Sequence, residues 1–397
     1  MKKFVYISFF VLLPLDMFTG VMMRAGIVSG GSLLNPSVLY KLLLFSLLVV
    51  KYFKYEKNIL GLLFFLYFAM VVPFLGILFY PTYIKQELID STYILNSFLL
   101  LNYLTANKSY FFDKINKIVI YNFWITFTTL LISNYFEISS STYTVNGVEI
   151  GSKGLLQGGN IMSVLGVVFY TYFLFGKKSK VLLLLSLVLV VLLQTKAIFI
   201  VVIVTFVFLL NNVFYSKKIF VAISILIILL IPFISEIFIY LKTIYVNSGF
   251  YIILKHQNMD ILDSNLIENL YFENRRVLDT IEQFFYQFTD VFRVLFGVGS
   301  SGQIVFWNRD SLTFSGMDIS DFIFRYGLIG GALFFFVFIL PMKNYYKEYG
   351  LTVNFAVLFF IYFYSALGGY VITSHALMTF IAIFTFVIYS QNEINNL

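Results

Sequence analysis

The chain has 397 residues, of which 60% are hydrophobic and only 12% charged, and its mean hydropathy is +0.89. Ordinary soluble domains carry about 25% charged residues, so a cytosolic globule is excluded and a polytopic membrane protein is left. There is no cysteine, hence no disulfide framework and no cysteine-ligated metal, and two histidines, His256 and His375, are too few for an ordinary zinc site.

The opening MKKFVYISFFVLLPL has the basic start and apolar run of a signal peptide. No small-residue cleavage site follows, so it reads as a retained first helix. Apolar runs of spanning length lie near 4–22, 33–50, 59–80, 91–105, 118–136, 160–176, 181–195, 197–214, 219–240, 324–341, 352–369 and 374–390. Residues 181–210 leave two options, two short helices meeting at Gln194, Thr195 and Lys196 or one long helix. The expected fold is an all-α polytopic membrane protein of about twelve transmembrane helices, with a large outer loop containing amphipathic helices. Helices 1–9 occupy 1–240, with a short outer loop at 137–159; the large outer loop occupies 241–323, and helices 10–12 occupy 324–397.

Lysines collect in every second inter-span segment: MKK, KYFKYEK at 51–57, the 108–117 loop, GKKSK at 176–180, SKK at 216–218 and KNYYKE at 343–348. Positive residues stay on the cytoplasmic side, so both termini are expected there and the loops at 137–159 and 241–323 on the outer side. Arginine is distributed differently. Five of the six, Arg275, Arg276, Arg293, Arg309 and Arg325, lie between 275 and 325, and Arg24 stands near an outer helix end. Lysine suffices for topology, whereas the guanidinium fork suits carboxylate or phosphate.

Within the large loop, Val277, Ile281, Phe284, Phe288, Val291 and Leu295 recur at helical spacing and read as an amphipathic helix. Asn274 is a good N-cap for it, yet Arg275 and Arg276 follow at once, against the helix dipole. Free N–H groups, the positive dipole end and two guanidinium groups together suit a phosphate or pyrophosphate. Pairing with Glu268, Glu273 or lipid headgroups is the structural alternative. The loop NGVEIGSKGLLQGGN, at 146–160, offers close backbone approach and Lys153, or else a flexible connection; Asn160 reads as an N-cap. Lys41, Lys196, Asp16 and Glu236 fall inside or at the edges of spans, where ionisable groups are expensive. Lys41 is the strongest of these, and Asp16 could neutralise a neighbouring cation. Asp318, Asp321 and Arg325 share one helical face, and Asp321 with Arg325 forms an i, i+4 pair. Gly327 and Gly331 make a G-x-x-x-G spacing suited to close packing against a neighbouring helix. His375 opens the last span and is a candidate proton acceptor.

Taken in order, GSKGLLQGGN (151–160), QTKAIFIVV (194–202), NRRVL (274–278), LFGVG (295–299), MDISDFIFRYGLIGG (317–331) and TSHAL (373–377) resemble the O-antigen polymerase and ligase superfamily of bacterial polysaccharide synthesis, Wzy-type polymerases above all. The resemblance covers most of the chain. It implies a metal-independent, cofactor-free glycosyltransferase on the outer face of the bacterial cytoplasmic membrane. Such an enzyme transfers a growing glycan from undecaprenyl pyrophosphate to a sugar hydroxyl of a lipid-linked repeat unit.

The implied partners are the undecaprenyl-pyrophosphate-linked oligosaccharide, the bilayer, a chain-length regulator and a flippase, with no nucleic acid. Arg275 and Arg276 match the family's loop arginine, with Arg276 against the pyrophosphate. His375 matches the late-helix histidine, and Asp318 with Asp321 the acidic start of the tenth span. Met317 stands where relatives often have Glu or Asn, and Ser374 where they have Gly. On this reading Arg275 and Arg276, aided by Lys153, Lys196, Lys41, Arg325 and Asp321, hold the substrate while His375 or Asp318 removes the acceptor proton. Two alternatives are ligase-type transfer to another acceptor and, in a different class, a lipid-linked sugar transporter.

Overall fold

The computed structural model describes residues 1–27, 35–55, 58–79, 84–136, 138–139, 143–145, 148–150, 154–156, 159–176, 179–193, 195, 197–215, 291–299, 318–367 and 374–394. Over these residues the protein is a bundle of apolar helices: α1 (Lys2–Arg24), α2 (Pro36–Tyr55), α3 (Ile59–Leu66), α4 (Val72–Phe79), α5 (Ile84–Ala106), the short α6 (Lys108–Phe111), α7 (Ile115–Tyr135), α8 (Gly159–Phe175), α9 (Lys180–Leu193), α10 (Ala197–Tyr215), α11 (Val291–Phe296), α12 (Asp318–Phe334), α13 (Leu340–Tyr349), α14 (Val353–Leu367) and α15 (His375–Ile394). Among the described residues, five stretches are long and apolar enough to cross a membrane, namely Lys2–Arg24, Pro36–Lys54, Ile59–Leu78, Lys108–Tyr135 and Phe322–Tyr349. The departure from all-helical structure among the described residues is one antiparallel hairpin, β1 (Tyr143–Val145) with β2 (Val148–Ile150), in register Tyr143 to Ile150.

Helices dominate because backbone polar groups in hydrocarbon must be satisfied within their own segment. Prolines disturb that pattern, and the response is visible. A π-helical turn at Tyr67–Val71 joins α3 to α4 and ends two residues before Pro73; another at Phe335–Ile339 joins α12 to α13 and ends two residues before Pro341. Proline has no N–H for the carbonyl four residues back and its ring crowds it. The carbonyl that Pro341 leaves, that of Val337, accepts instead from the Tyr389 hydroxyl at 3.1 Å. The same contact ties α15 to the α12–α13 helix.

The core is aliphatic and aromatic; Phe64 and Phe98 stack at 4.6 Å, and Phe123 meets Phe173 edge-on at 5.0 Å. α15 packs along α5 and α14 along α8. Side-chain contacts fix the directions. Asp16, late in α1, meets Lys41, early in α2; Ser163, early in α8, meets Thr195 just before α10; Tyr345, in α13, meets Gln391, near the end of α15. One end of the bundle therefore collects the end of α1 and the starts of α2, α5, α8, α10, α12 and α15.

Several sequence boundaries move. α5 starts at Ile84 rather than near 91, and the α12–α13 helix runs from Asp318 to Tyr349 rather than 324–341. Both extensions are polar turns that hydropathy leaves out. α9 and α10 are separate helices, which decides between the two options for 181–210. The span expected at 219–240 and the loop residues 241–290 and 300–317 lie outside the described residues.

Candidate functional site

Ionisable side chains gather at the end where α5 and α12 begin. Asn35 caps α2: its Oδ1 accepts from the Ser37 N–H at 3.0 Å, the Val38 N–H at 3.4 Å and the Thr19 hydroxyl at 2.9 Å. This cap aims the next turn of α2 at α1. There Asp16 accepts from the Ser37 hydroxyl and from Lys41 Nζ, the latter at 2.5 Å. Lys41 is only 6% exposed, and its ammonium also lies 5.5 Å from the centre of the Tyr93 ring. Asn96 donates to the Lys41 carbonyl at 3.3 Å, so α5 closes over the pair. The expectation that Asp16 neutralises a cation is met, and Lys41 is the cation.

One turn before Tyr93 on α5 stands Asp90, which pairs with Arg325 Nη1 of α12 at 3.4 Å. Arg325 is 4% exposed and Glu87 is fully buried. Two cations and three carboxylates are thus drawn onto one stripe of α5. Breaking one partner of a buried pair costs about 3 to 5 kcal/mol, so these groups hold α1, α2, α5 and α12 in a single arrangement. Arg325, grouped by sequence with Asp321, reaches across to α5.

Beside this pair the backbone itself is broken. Within α12, Gly327 has φ 64° and ψ −177°, a conformation open in practice to glycine alone. The turn after α11 crosses here, with Gly297 at φ 82° and Gly299 at φ 69°. A Cβ on Gly297 would lie 2.2 Å from the Arg325 carbonyl oxygen, one on Gly327 2.3 Å from that of Leu295, and one on Gly299 2.3 Å from Glu87 Oε2. The expected close packing of Gly327 against a neighbour is met, by the backbone at Leu295 and Gly297, while that of Gly331 is not. Gly327 also breaks the helix, and among the described residues a Cβ on Gly331 would touch only Ile323 of the same helix, at 3.4 Å. Gly330 is the close-packed one, 3.0 Å from a Tyr67 ring carbon by the same measure.

The 137–159 loop, with its stretch from 146 on for which a flexible connection was the alternative, is held down in its described part. Arg24 donates to the carbonyls of Ile138 (3.1 Å), Gly154 (3.1 Å) and Leu155 (2.9 Å), and to Gly20 of its own helix at 3.1 Å. Leu156 is buried, and Gly154 takes φ 60° against Leu130.

Of the residues singled out by sequence, the structure brings Lys41 and Arg325 to this end. α12 begins at Asp318, one face of its first two turns carries Asp318, Asp321 and Arg325, and α15 begins at His375. The side chains of Asp318, Asp321 and His375 lie outside the described set, as do Lys153, Lys196, Glu236, Arg275 and Arg276 altogether. Of the amphipathic helix expected at 277–295, only α11 is described; its Val291 is 70% exposed and Leu295 37%. Glu87, Asp90, Tyr93, Tyr67 and the Arg24 clasp were missed. Glu87, Asp90 and Tyr93 recur every third residue just ahead of an apolar run, a stripe that continues the helix backwards by two turns. Among the described residues no three His, Asp or Glu side chains group closely enough to hold a metal ion.

Chemically, this end offers guanidinium, ammonium, carboxylate and hydroxyl groups within a low-dielectric wall. No protein-family model, no curated protein and no solved structure matches the chain.

Proposed function

We propose that the protein is a polysaccharide polymerase of the bacterial cytoplasmic membrane, passing a growing glycan from undecaprenyl pyrophosphate to a sugar hydroxyl of a lipid-linked repeat unit at the outer face. The supporting observation is the gathering of Asp16, Lys41, Glu87, Asp90 and Arg325 at the same end as the helix starts at Asp318 and His375. Ionisable groups at membrane depth mark functional sites by default. In this reading Arg275 and Arg276, with Lys153, Lys196 and Arg325, balance the charge on the leaving pyrophosphate. His375 or Asp318 takes the proton of the attacking hydroxyl as the new glycosidic bond forms and the bond from sugar to pyrophosphate breaks.

The topology belongs to the same proposal: twelve spans, both termini cytoplasmic. α10 leaves the charged end and α12 starts at it. The span read at 219–240, which lies outside the described residues, is part of this proposal.

The test is purified protein in detergent with a lipid-linked repeat unit. A ladder of lengthened products is expected, lost in Arg276→Ala and His375→Ala at normal protein levels. Full ladders from both variants would discard the assigned roles; inertness until a second acceptor is added would move the protein to the ligase branch. One observation favours a second reading, transport: helices broken at membrane depth, as at Gly327, are also how transporters build substrate sites. Movement of the lipid-linked unit across vesicles with its bonds unchanged would establish that reading.

A further inference from the structure

The break at Gly327 raises a question that sequence could not pose, namely what satisfies the carbonyls it frees inside the bundle. An unpartnered backbone group costs several kcal/mol in hydrocarbon, so breaks survive only where protein supplies partners. Here the Phe324 carbonyl accepts from the Val298 N–H at 3.1 Å. The Tyr326 carbonyl accepts from the Tyr67 hydroxyl at 2.6 Å, and the same hydroxyl lies 3.1 Å from the Phe296 carbonyl at the end of α11. One phenol hydrogen is therefore shared between a carbonyl at the break in α12 and the carbonyl that ends α11. Its ring stacks on Phe296 with centroids 6.5 Å apart and lies against Gly330. Tyr67 opens the π-helical turn of the α3–α4 helix, and such turns recur at functional positions.

We infer that Tyr67 is a positioning residue. It clamps the 295–299 turn, which lies within the large loop and follows Arg293, to the half-helix that starts at Asp318 and carries Arg325, so that the charged groups flanking the crossing are presented in one fixed geometry. What is positioned rests on the glycosyl-transfer reading above; the clamp itself does not. A continuous α12 would have satisfied its own carbonyls without Tyr67, and glycines 297, 299 and 327 would not then be needed. A built crossing in place of the cheaper helix is what points beyond simple packing.

Tyr67→Phe removes one hydroxyl and keeps the ring. Because the chain has no cysteine, Val298→Cys introduces a unique thiol at a position only 5% exposed, and the thiol's reaction with a small maleimide reports opening of the clamp. Adding Tyr67→Phe is expected to speed labelling about tenfold, as loss of a buried hydrogen bond allows. In the polymerisation assay, Tyr67→Phe is expected to raise KM for the lipid-linked repeat by about the same factor while changing kcat less. Tyr362→Phe, which removes a buried hydroxyl elsewhere in the bundle, is expected to leave both measurements at wild type.

Unchanged labelling in Tyr67→Phe overturns the clamp. Faster labelling with wild-type kinetics overturns the positioning role and leaves glycosyl transfer standing. If the wild type makes no polymer, the glycosyl-transfer reading fails, and labelling alone decides the clamp.

Discussion

The two ends of the bundle use the same residue types in opposite ways. At the end that holds the candidate site, Lys41 is buried against Asp16, Arg325 is buried against Asp90, and one helix is broken. At the other end Lys2, Lys3, Lys54, Lys180, Lys343 and Lys347 are exposed. The polar contacts there are looser or uncharged. Lys114 sits 3.5 Å above the Tyr110 ring, the Thr352 hydroxyl donates to Tyr345 at 3.1 Å, and the Tyr349 hydroxyl donates to the Gln391 carbonyl at 3.1 Å. A hydrated lysine can serve topology without a partner. A buried one exists only where the fold brings it a carboxylate. Charge count is therefore a poor guide to the site; charge that has lost its water is the better one.

If that contrast is right, equivalent substitutions at the two ends should differ widely in effect. The largest difference is expected at glycine. Gly327→Ala or Gly297→Ala drives a methyl into a backbone carbonyl, a loss of more than about 4 kcal/mol, read as loss of monodisperse protein in detergent. Gly350→Ala at the other end has the same kind of backbone, φ 66° and ψ −151°, but open space around it, and is expected to cost only about 1 to 3 kcal/mol. Normal yield and melting of both site-end variants would erase the contrast. Next come the buried ions. Asp16→Asn or Lys41→Met alone should lower stability by about 3 to 5 kcal/mol, and the double variant should regain most of it in thermal melts. Additive losses would mean that the two residues do not act as a pair.

Arg24→Ala should cost less, about 1 to 3 kcal/mol, because its hydrogen bonds are partly in solvent. Its clearest sign is faster amide exchange at residues 138–156, and unchanged exchange there would show that the clasp is dispensable. The smallest effects are expected at the opposite end. Lys114→Ala and Tyr349→Phe should each shift stability by about 1 kcal/mol or less, and a loss comparable with that of Lys41 would remove the distinction between the ends.

Sequence reading located α1, α3 with α4, α7, α8, α14 and α15 to within a few residues, because an apolar run of spanning length is itself the physical requirement. It failed where a helix begins with polar turns. Lys85, Glu87 and Asp90 hide the start of α5 from hydropathy, so Asp90, which meets Arg325, and the buried Glu87 were left outside the expected helix. It read the close packing at Gly327 but not the break, since G-x-x-x-G describes both a packing face and the footprint of a broken helix. Lys41 was legible as an expensive charge and Asp16 as a possible neutraliser. Their pairing was not, because 25 positions of sequence separate them.

Composition and the spacing of apolar runs determined by themselves that the chain is a helical membrane protein, since the bilayer imposes length, apolarity and internal hydrogen bonding on every span. The placement of lysines supplied the expected orientation. Only the tertiary structure decided which charges lose their water, which carboxylates meet them, and that Tyr67 closes a break between two backbones that lie 229 and 259 positions away from it in the chain. Those outcomes depend on which helices become neighbours, and a local pattern of residues carries no record of that.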